Sequence, residues 1–160
     1  MSKFKELNQY IFDIENLLLK NQKLCKLLYY PHKDALEKGD IKDTDILINN
    51  NIFPFNYIPT DDEQKCIISI ILDDFRNDGS VHLRKGTISF NIICHKDLWA
   101  TDLGLRPFLL MEEIDTIFNK VHNRQAVKSL GGLVFQDAHA LWNSNIYSGY
   151  QLIYECENIV

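Results

Sequence analysis

The sequence predicts an α+β fold: a small, mainly antiparallel four-stranded sheet, ordered strand–strand–helix–strand–strand, with an N-terminal helical pair packed on it. Three observations predict it. Between Arg106 and Val121, the residues Leu110, Ile114, Ile117, Phe118 and Val121 recur at steps of three and four, one face of a helix. Two segments of strand-like character precede that helix and two follow it. From Phe4 to Tyr30 the periodicity is helical again. A helix with one apolar stripe needs an apolar surface to lie on, and the flanking strands supply it.

At 160 residues the chain fits a single domain, 1–160, in three stretches. Residues 1–30 are the helical pair, 31–63 an irregular arm, and 64–160 the sheet with its central helix. In the pair, Phe4, Leu7, Ile11, Ile14 and Leu18 trace the first stripe. Asn21 stands where this helix ends or the next begins. Lys23–Tyr30 carries Leu24, Leu27 and Leu28, and Pro31 stops it, because the residue before a proline avoids the helical region. The arm holds three of the four prolines. Within it, Asp43–Asn50 predicts a short helix capped by Asp43 or Thr44 and anchored by Ile46 and Leu47. Ile52–Ile58 predicts an extended segment with Phe53, Phe55 and Tyr57 in alternation. Those rings pack either on their own domain or on a neighbour's.

The sheet begins with Gln64–Asp73, apolar on both faces in its middle and so expected to be central and covered on both sides. The polar stretch Asp73–Lys85 contains Asn77-Asp78-Gly79-Ser80, which predicts a turn. Thr87–His95 is the partner strand, with Ile88, Phe90, Ile92 and Cys94 on one face. Pro107 suits the first turn of the central helix, where its missing N–H has no partner to lose. Gly131-Gly132 marks a turn or a close backbone approach. Leu133–Leu141 and Gly149–Glu157 are the last two strands, joined by the loop 142–148.

Composition narrows the classes. Hydrophobic residues make up 46%, which argues against disorder. Apolar runs are far too short to span a bilayer, and the first residues enter a charged helical pattern. The expectation is a chain made and kept in the cytosol, or in something assembled there. The net charge of −5 argues against a grip on nucleic acid. Lys20, Lys23 and Lys26, at helical spacing, predict a solvated helix face. Cys25, Cys66, Cys94 and Cys156 form no C-x-x-C, and no disulfide is expected in a cytosolic chain.

A search for chemistry assigns no catalytic, cofactor-binding or metal residue. Cys94, His95 and Asp97 are the nearest thing to a ligand cluster, but strand neighbours point to opposite faces. His32, His82, His122 and His139 are scattered. Asp61-Asp62-Glu63 and Asp73-Asp74 bracket a strand and read as solubilising ends. Gly131-Gly132 lacks the rest of a P-loop.

Several words of the sequence carry a resemblance. They are Ile88-Ser-Phe-Asn-Ile-Ile-Cys-His95, the Arg-Pro-led Arg106–Asp115, Leu130-Gly-Gly-Leu-Val-Phe135, and Tyr147-Ser-Gly-Tyr-Gln-Leu-Ile-Tyr154. With Leu24–Pro31 and Asn51–Pro54 ahead of them, the chain resembles phage tail-terminator or tail-completion (neck) proteins. The resemblance implies a virion protein at the head–tail junction, assembled in the host cytoplasm and without enzymatic activity. Such a protein forms a homohexameric ring that caps the tail tube and docks to the head connector or head-completion protein. The sheath protein is a further candidate partner, and DNA passes through the pore without specific binding. A ring subunit reaches its neighbours through arms, hairpins and strand edges. The candidates here are Phe53, Phe55 and Tyr57 of the arm, Arg76, Asn77, Asp78 and His82 of the hairpin, and Trp142 and Tyr147 at the last loop. Other head-completion or tail-tube components share such a topology. A small α/β adaptor or metal-dependent hydrolase, with a site made from scattered carboxylates and His95, is the rival from another class.

Overall fold

A computed structural model describes residues 3–77, 83–119, 121 and 132–156. A 3-10 turn, Lys3–Glu6, leads into α1 (Leu7–Leu19) and α2 (Gln22–Tyr29), and further 3-10 turns follow at Ala35–Glu37 and Thr44–Leu47. Next come β1 (Ile52–Phe53), β2 (Cys66–Asn77) and β3 (Leu83–His95). A 3-10 turn, Lys96–Leu98, then precedes β4 (Ala100–Thr101), β5 (Gly104–Leu105) and α3 (Arg106–Phe118). The chain closes with β6 (Leu133–Trp142) and β7 (Tyr147–Cys156).

The helix signals act locally as the residues dictate. The Asn21 side chain accepts the Leu24 N–H at 2.9 Å, capping α2, and its own amide donates to Glu113 of α3 at 2.7 Å. Tyr30, before Pro31, is already extended. Asp43 caps the turn Thr44–Leu47 by accepting the Asp45 N–H. Pro107 sits in the first turn of α3.

The main sheet has five strands in the order β1-β2-β3-β7-β6, not four. The added strand is β1, which runs parallel to β2 while the other pairs are antiparallel. Two residues give no periodicity to read, and the pairing is decided by their neighbour Asn51. Its carbonyl accepts the Ile68 N–H at 2.7 Å, and its amide donates to Leu28 and Cys66 carbonyls at 3.1 and 2.9 Å. One side chain thus joins the end of α2 to the start of β2. A separate two-stranded hairpin, β4–β5, lies before α3, with Gly104 at φ 141.

The β2–β3 hairpin is also longer than predicted. Pairing continues from Asp73↔Thr87 to Arg76↔Lys85 and Asn77↔Leu83, across a register shift where Asp74 takes φ 54. Polar side chains at these positions do not prevent a ladder, because the backbone makes it and the bulge absorbs the extra residue. The turn at Asp78, Gly79 and Ser80, and Gly131, lie outside the described residues.

All three helices cover one face of the sheet. Ile14 and Leu18 of α1, Leu24 and Leu28 of α2, and Leu110, Ile114 and Phe118 of α3 share one core with Ile68, Ile70, Ile88, Phe90, Ile92, Leu152 and Tyr154. Phe90 and Phe118 stack at 4.9 Å at its centre. Burial of such side chains contributes about 1.5–3 kcal/mol each. On the opposite face a smaller core joins Phe53, Ile67, Ile93 and Tyr147, with Tyr57 and Ile146 against it. The first half of β2 is therefore covered on both sides. At Gly149 a Cβ would lie 1.7 Å from the Ile92 carbonyl oxygen, so β7 can pass there only as glycine.

The cysteines differ from the sequence expectation. Cys66 and Cys94 are direct cross-strand partners with Cα atoms 4.1 Å apart, and they are joined as a disulfide. Residue spacing alone did not reveal this, since the pairing register brings the two together. Cys25 and Cys156 are buried free thiols. Protein purified without reductant is expected to take up two alkyl groups when unfolded, and four after reduction, by intact mass. Four groups before reduction would contradict the cross-link.

Candidate interaction surface

The helical layer is tied together at Arg106, which is 1% exposed. Its Nε donates to the Leu98 carbonyl at 2.7 Å. One terminal nitrogen donates to Leu27 and Tyr30 carbonyls at 2.5 and 3.1 Å, and the other to His32 at 3.0 Å. Leu27 is in the last turn of α2 and Tyr30 is its C-cap, where carbonyls lack helical partners and the helix dipole favours a cation. Burial pulls the guanidinium below its ordinary value, yet an arginine so well bonded stays charged. One buried cation thereby ties the end of α2, the 3-10 turn before β4 and the start of α3.

Around this frame the sequence-predicted contact residues separate. Phe53 and Tyr147 are buried in the smaller core of their own chain. Phe53 stacks on Tyr57 at 4.1 Å, the Lys65 ammonium lies near both rings, and the Tyr57 hydroxyl donates to Glu63. The aromatic arm thus folds back on its own sheet, and of its three rings Phe55 is the exposed one, at 54%. Arg76 is exposed near the end of β2 and lines a polar cleft of about 220 Å³ with Asp74, Lys85, Gly86, Thr87, Gln136 and Glu155. Asn77 pairs with Leu83 through its backbone. Asp78 and His82 lie outside the described residues. Trp142 closes β6 and is 77% exposed.

The structure adds a surface that the sequence did not single out. On the helix side of β6, Phe135, Ala138, Ala140 and Trp142 stand opposite Tyr154, Leu152, Tyr150 and Ser148 of β7. All four β6 side chains are exposed, and among the described residues no helix lies over this apolar row. Between α3 and β6 runs a groove of about 290 Å³, lined by Met111, Glu112, Asp115, Asn119, Phe135, Ala138 and Leu152. Among the described residues its charged lining is acidic. Strand alternation between Phe135 and Ala138 is broken by a bulge at Gln136, whose amide donates to Glu155, and this hid the row from a period-two reading.

Burial, with the Asp115 carboxylate as hydrogen-bond acceptor at 2.7 Å, pushes the Tyr154 phenol above its ordinary value. Burial pushes the Cys25 thiol up to about 11 and that of Cys156 up to about 12. His95 does not join a reactive cluster: its Nδ1 accepts the Asp97 N–H at 3.1 Å and caps the turn Lys96–Leu98. Among the described residues there is no group of three or more His, Cys, Asp or Glu placed to hold a metal ion. The carboxylates Asp61–Glu63 precede β2 and Asp73-Asp74 lie near its far end.

The family model named YomW matches residues 21–156. The chain belongs to the YomW family. YomW is a family derived from Bacillus phages of the SPbeta type, which gives the chain a phage origin. The YomW match takes in α2, α3 and all seven strands, and leaves α1 outside it. No curated protein and no solved structure matches the chain.

Arg106→Met is expected to leave α2's last carbonyls buried without a donor and to cost about 3 kcal/mol or more, read from the urea midpoint. Arg106→Lys is expected to recover only part, since an ammonium cannot spread over four carbonyls. An Arg106→Met protein as stable as wild type would contradict the role assigned to this side chain.

The raised Tyr154, Cys25 and Cys156 values mean that the fold favours their neutral forms. Their contribution is complete below the unfolded thiol and phenol values and is lost as pH rises above about 9. Tyr154→Phe is expected to cost about 1 kcal/mol at neutral pH and to make the alkaline fall shallower. Urea midpoints between pH 7 and 11 check both.

Proposed function

We propose that this protein is a structural component of the phage head–tail junction that caps the tail tube as a ring and docks the tail to the head connector. The observation that carries the reading is the exposed apolar row of β6, which beyond the Leu133 bridge to Asn119 is an edge strand among the described residues, in a chain of a phage-derived family. An edge strand with apolar side chains exposed is a liability in an isolated monomer and an asset in an assembly. Exposed apolar surface of this extent marks a site of protein contact.

The charge supports the same reading. A subunit that surrounds a DNA channel should let phosphate slide, and a chain of net charge −5 offers no general cationic grip. The neighbours on this reading are further copies of the chain, the tail-tube protein, and the connector or head-completion protein. The protein is a virion component on this view, assembled in the host cytoplasm, and it carries out no catalysis.

Native mass measured across rising concentration, with and without purified headless tails, tests this. A six-subunit ring, or a monomer that becomes six copies on a tail end, is the expected result. Six copies on mature connector complexes but none on tails would favour a head-completion role. A monomer that ignores tails at every concentration would overturn the junction assignment and return weight to an adaptor or hydrolase.

A further inference from the structure

The register that sets Cys66 opposite Cys94 also puts this pair where two attachments of the helical layer meet the sheet. The Cys66 carbonyl accepts the Asn51 amide at 2.9 Å, and that amide also donates to Leu28 in the last turn of α2. The Cys94 carbonyl accepts the Trp99 indole N–H at 3.1 Å. The Trp99 carbonyl in turn accepts the backbone N–H of Arg106 at 2.7 Å, at the start of α3. A bond between the two cysteines therefore links the strand that holds the end of α2 to the strand that holds the start of α3. Both cysteines are fully buried in the main core.

We propose that Cys66 and Cys94 form a redox latch, a dithiol while the chain is made in the host cytoplasm and a disulfide once the protein meets an oxidising medium. The cytosol keeps thiols reduced, so a chain synthesised there starts with the pair open. The core accepts both states, because an unbonded cysteine packs as a small hydrophobe. Strand register holds the two side chains together in the folded protein, so closure needs no change of pairing. The passage out of the cell is taken from the virion reading above. The couple itself rests on register and burial.

A low-molecular-weight disulfide is the oxidant. The thiolate of one cysteine attacks a sulfur of that reagent, and one reagent thiolate leaves. The second protein thiolate then displaces the other reagent thiolate as the Cys66–Cys94 bond forms. Two protein thiols are oxidised, the reagent is reduced to two thiols, and the two protons pass to the departing thiolates. Because both cysteines are buried, each exchange waits for a local opening of the strands, and the closed latch resists reductant for the same reason. The bond spans a sequence separation of 28 and restricts the unfolded chain, so closure should raise the melting temperature by about 5 °C or more.

Thiol trapping tests the latch. Cells expressing the chain are quenched in acid, and the protein is unfolded, alkylated and weighed intact; four alkyl groups are expected. Purified folded protein incubated with glutathione disulfide should then take up two, with peptide mapping placing the bond at Cys66–Cys94. The oxidised protein should melt above the reduced one, and Cys66→Ala/Cys94→Ala should lose that difference. Should the double variant fail to fold, the oxidised and reduced wild type still give the comparison. A bond already present in quenched cells, four groups after oxidation, a bond mapped to Cys25 or Cys156, or equal melting of the two forms would each overturn the latch. Purified phage particles should carry the chain with its bond closed. Particles that lack the chain would overturn the virion reading, while the in-cell and in-buffer masses would still decide the couple.

Discussion

Carbonyls from the end of α2, the segment after it and the turn before β4 converge on the buried guanidinium of Arg106. A buried charge is tolerable only where strong hydrogen bonds replace its hydration, and here the main chain supplies them. The reciprocal also holds: carbonyls at a helix end need donors, and a protein side chain supplies these. Because Arg106 is also the first residue of α3, the bond that satisfies one helix sets the starting point of another. The pitch of α3 over the sheet follows from that point. So do the stacking of Phe118 on Phe90 and the reach of Asp115 to Tyr154.

Coverage of the sheet is unequal, and the inequality gives the protein its outward surfaces. The helices bury the face over β2, β3 and β7 and Leu133 at the start of β6, while Phe135, Ala138, Ala140 and Trp142 stay exposed. On the other face the returning arm protects only the end of the sheet near Phe53 and Tyr147. Beyond the Leu133 bridge to Asn119, a strand that among the described residues has neither a helix over it nor a partner along one edge has contact potential of two kinds, apolar and hydrogen-bonding. Both meet at β6.

Much of this was legible in the chain. Steps of three and four placed all three helices within a few residues, and alternation placed four of the strands. What was missed shares a physical cause: it depends on partners far away in sequence. β1 is set by Asn51 and by Ile68, so a two-residue window could not reveal it. Cys66 meets Cys94 only through register. The buried role of Arg106 was not legible, because nothing in its neighbourhood announces carbonyls contributed by Leu27 and Tyr30. Among the candidate contacts, aromatic alternation in the arm identified rings but not their direction, and Phe53 turned inward while Phe55 faced solvent. The β6 row escaped because one bulged residue shifts the alternation at Gln136.

The separation between Arg106 and the carbonyls it holds has a consequence for the order of synthesis. Those of Leu27, Tyr30 and His32 precede it by 79, 76 and 74 residues. During translation α2 leaves the ribosome well before the residue that completes its last turn. For that interval the carbonyls of Leu27, Tyr30 and His32 lack their protein donor, although Asn51 can already hold that of Leu28. The chain is thus committed to its arrangement late, when the Arg-Pro step emerges and α3 can settle on strands already made. Long-range closure of this kind slows folding relative to local contacts.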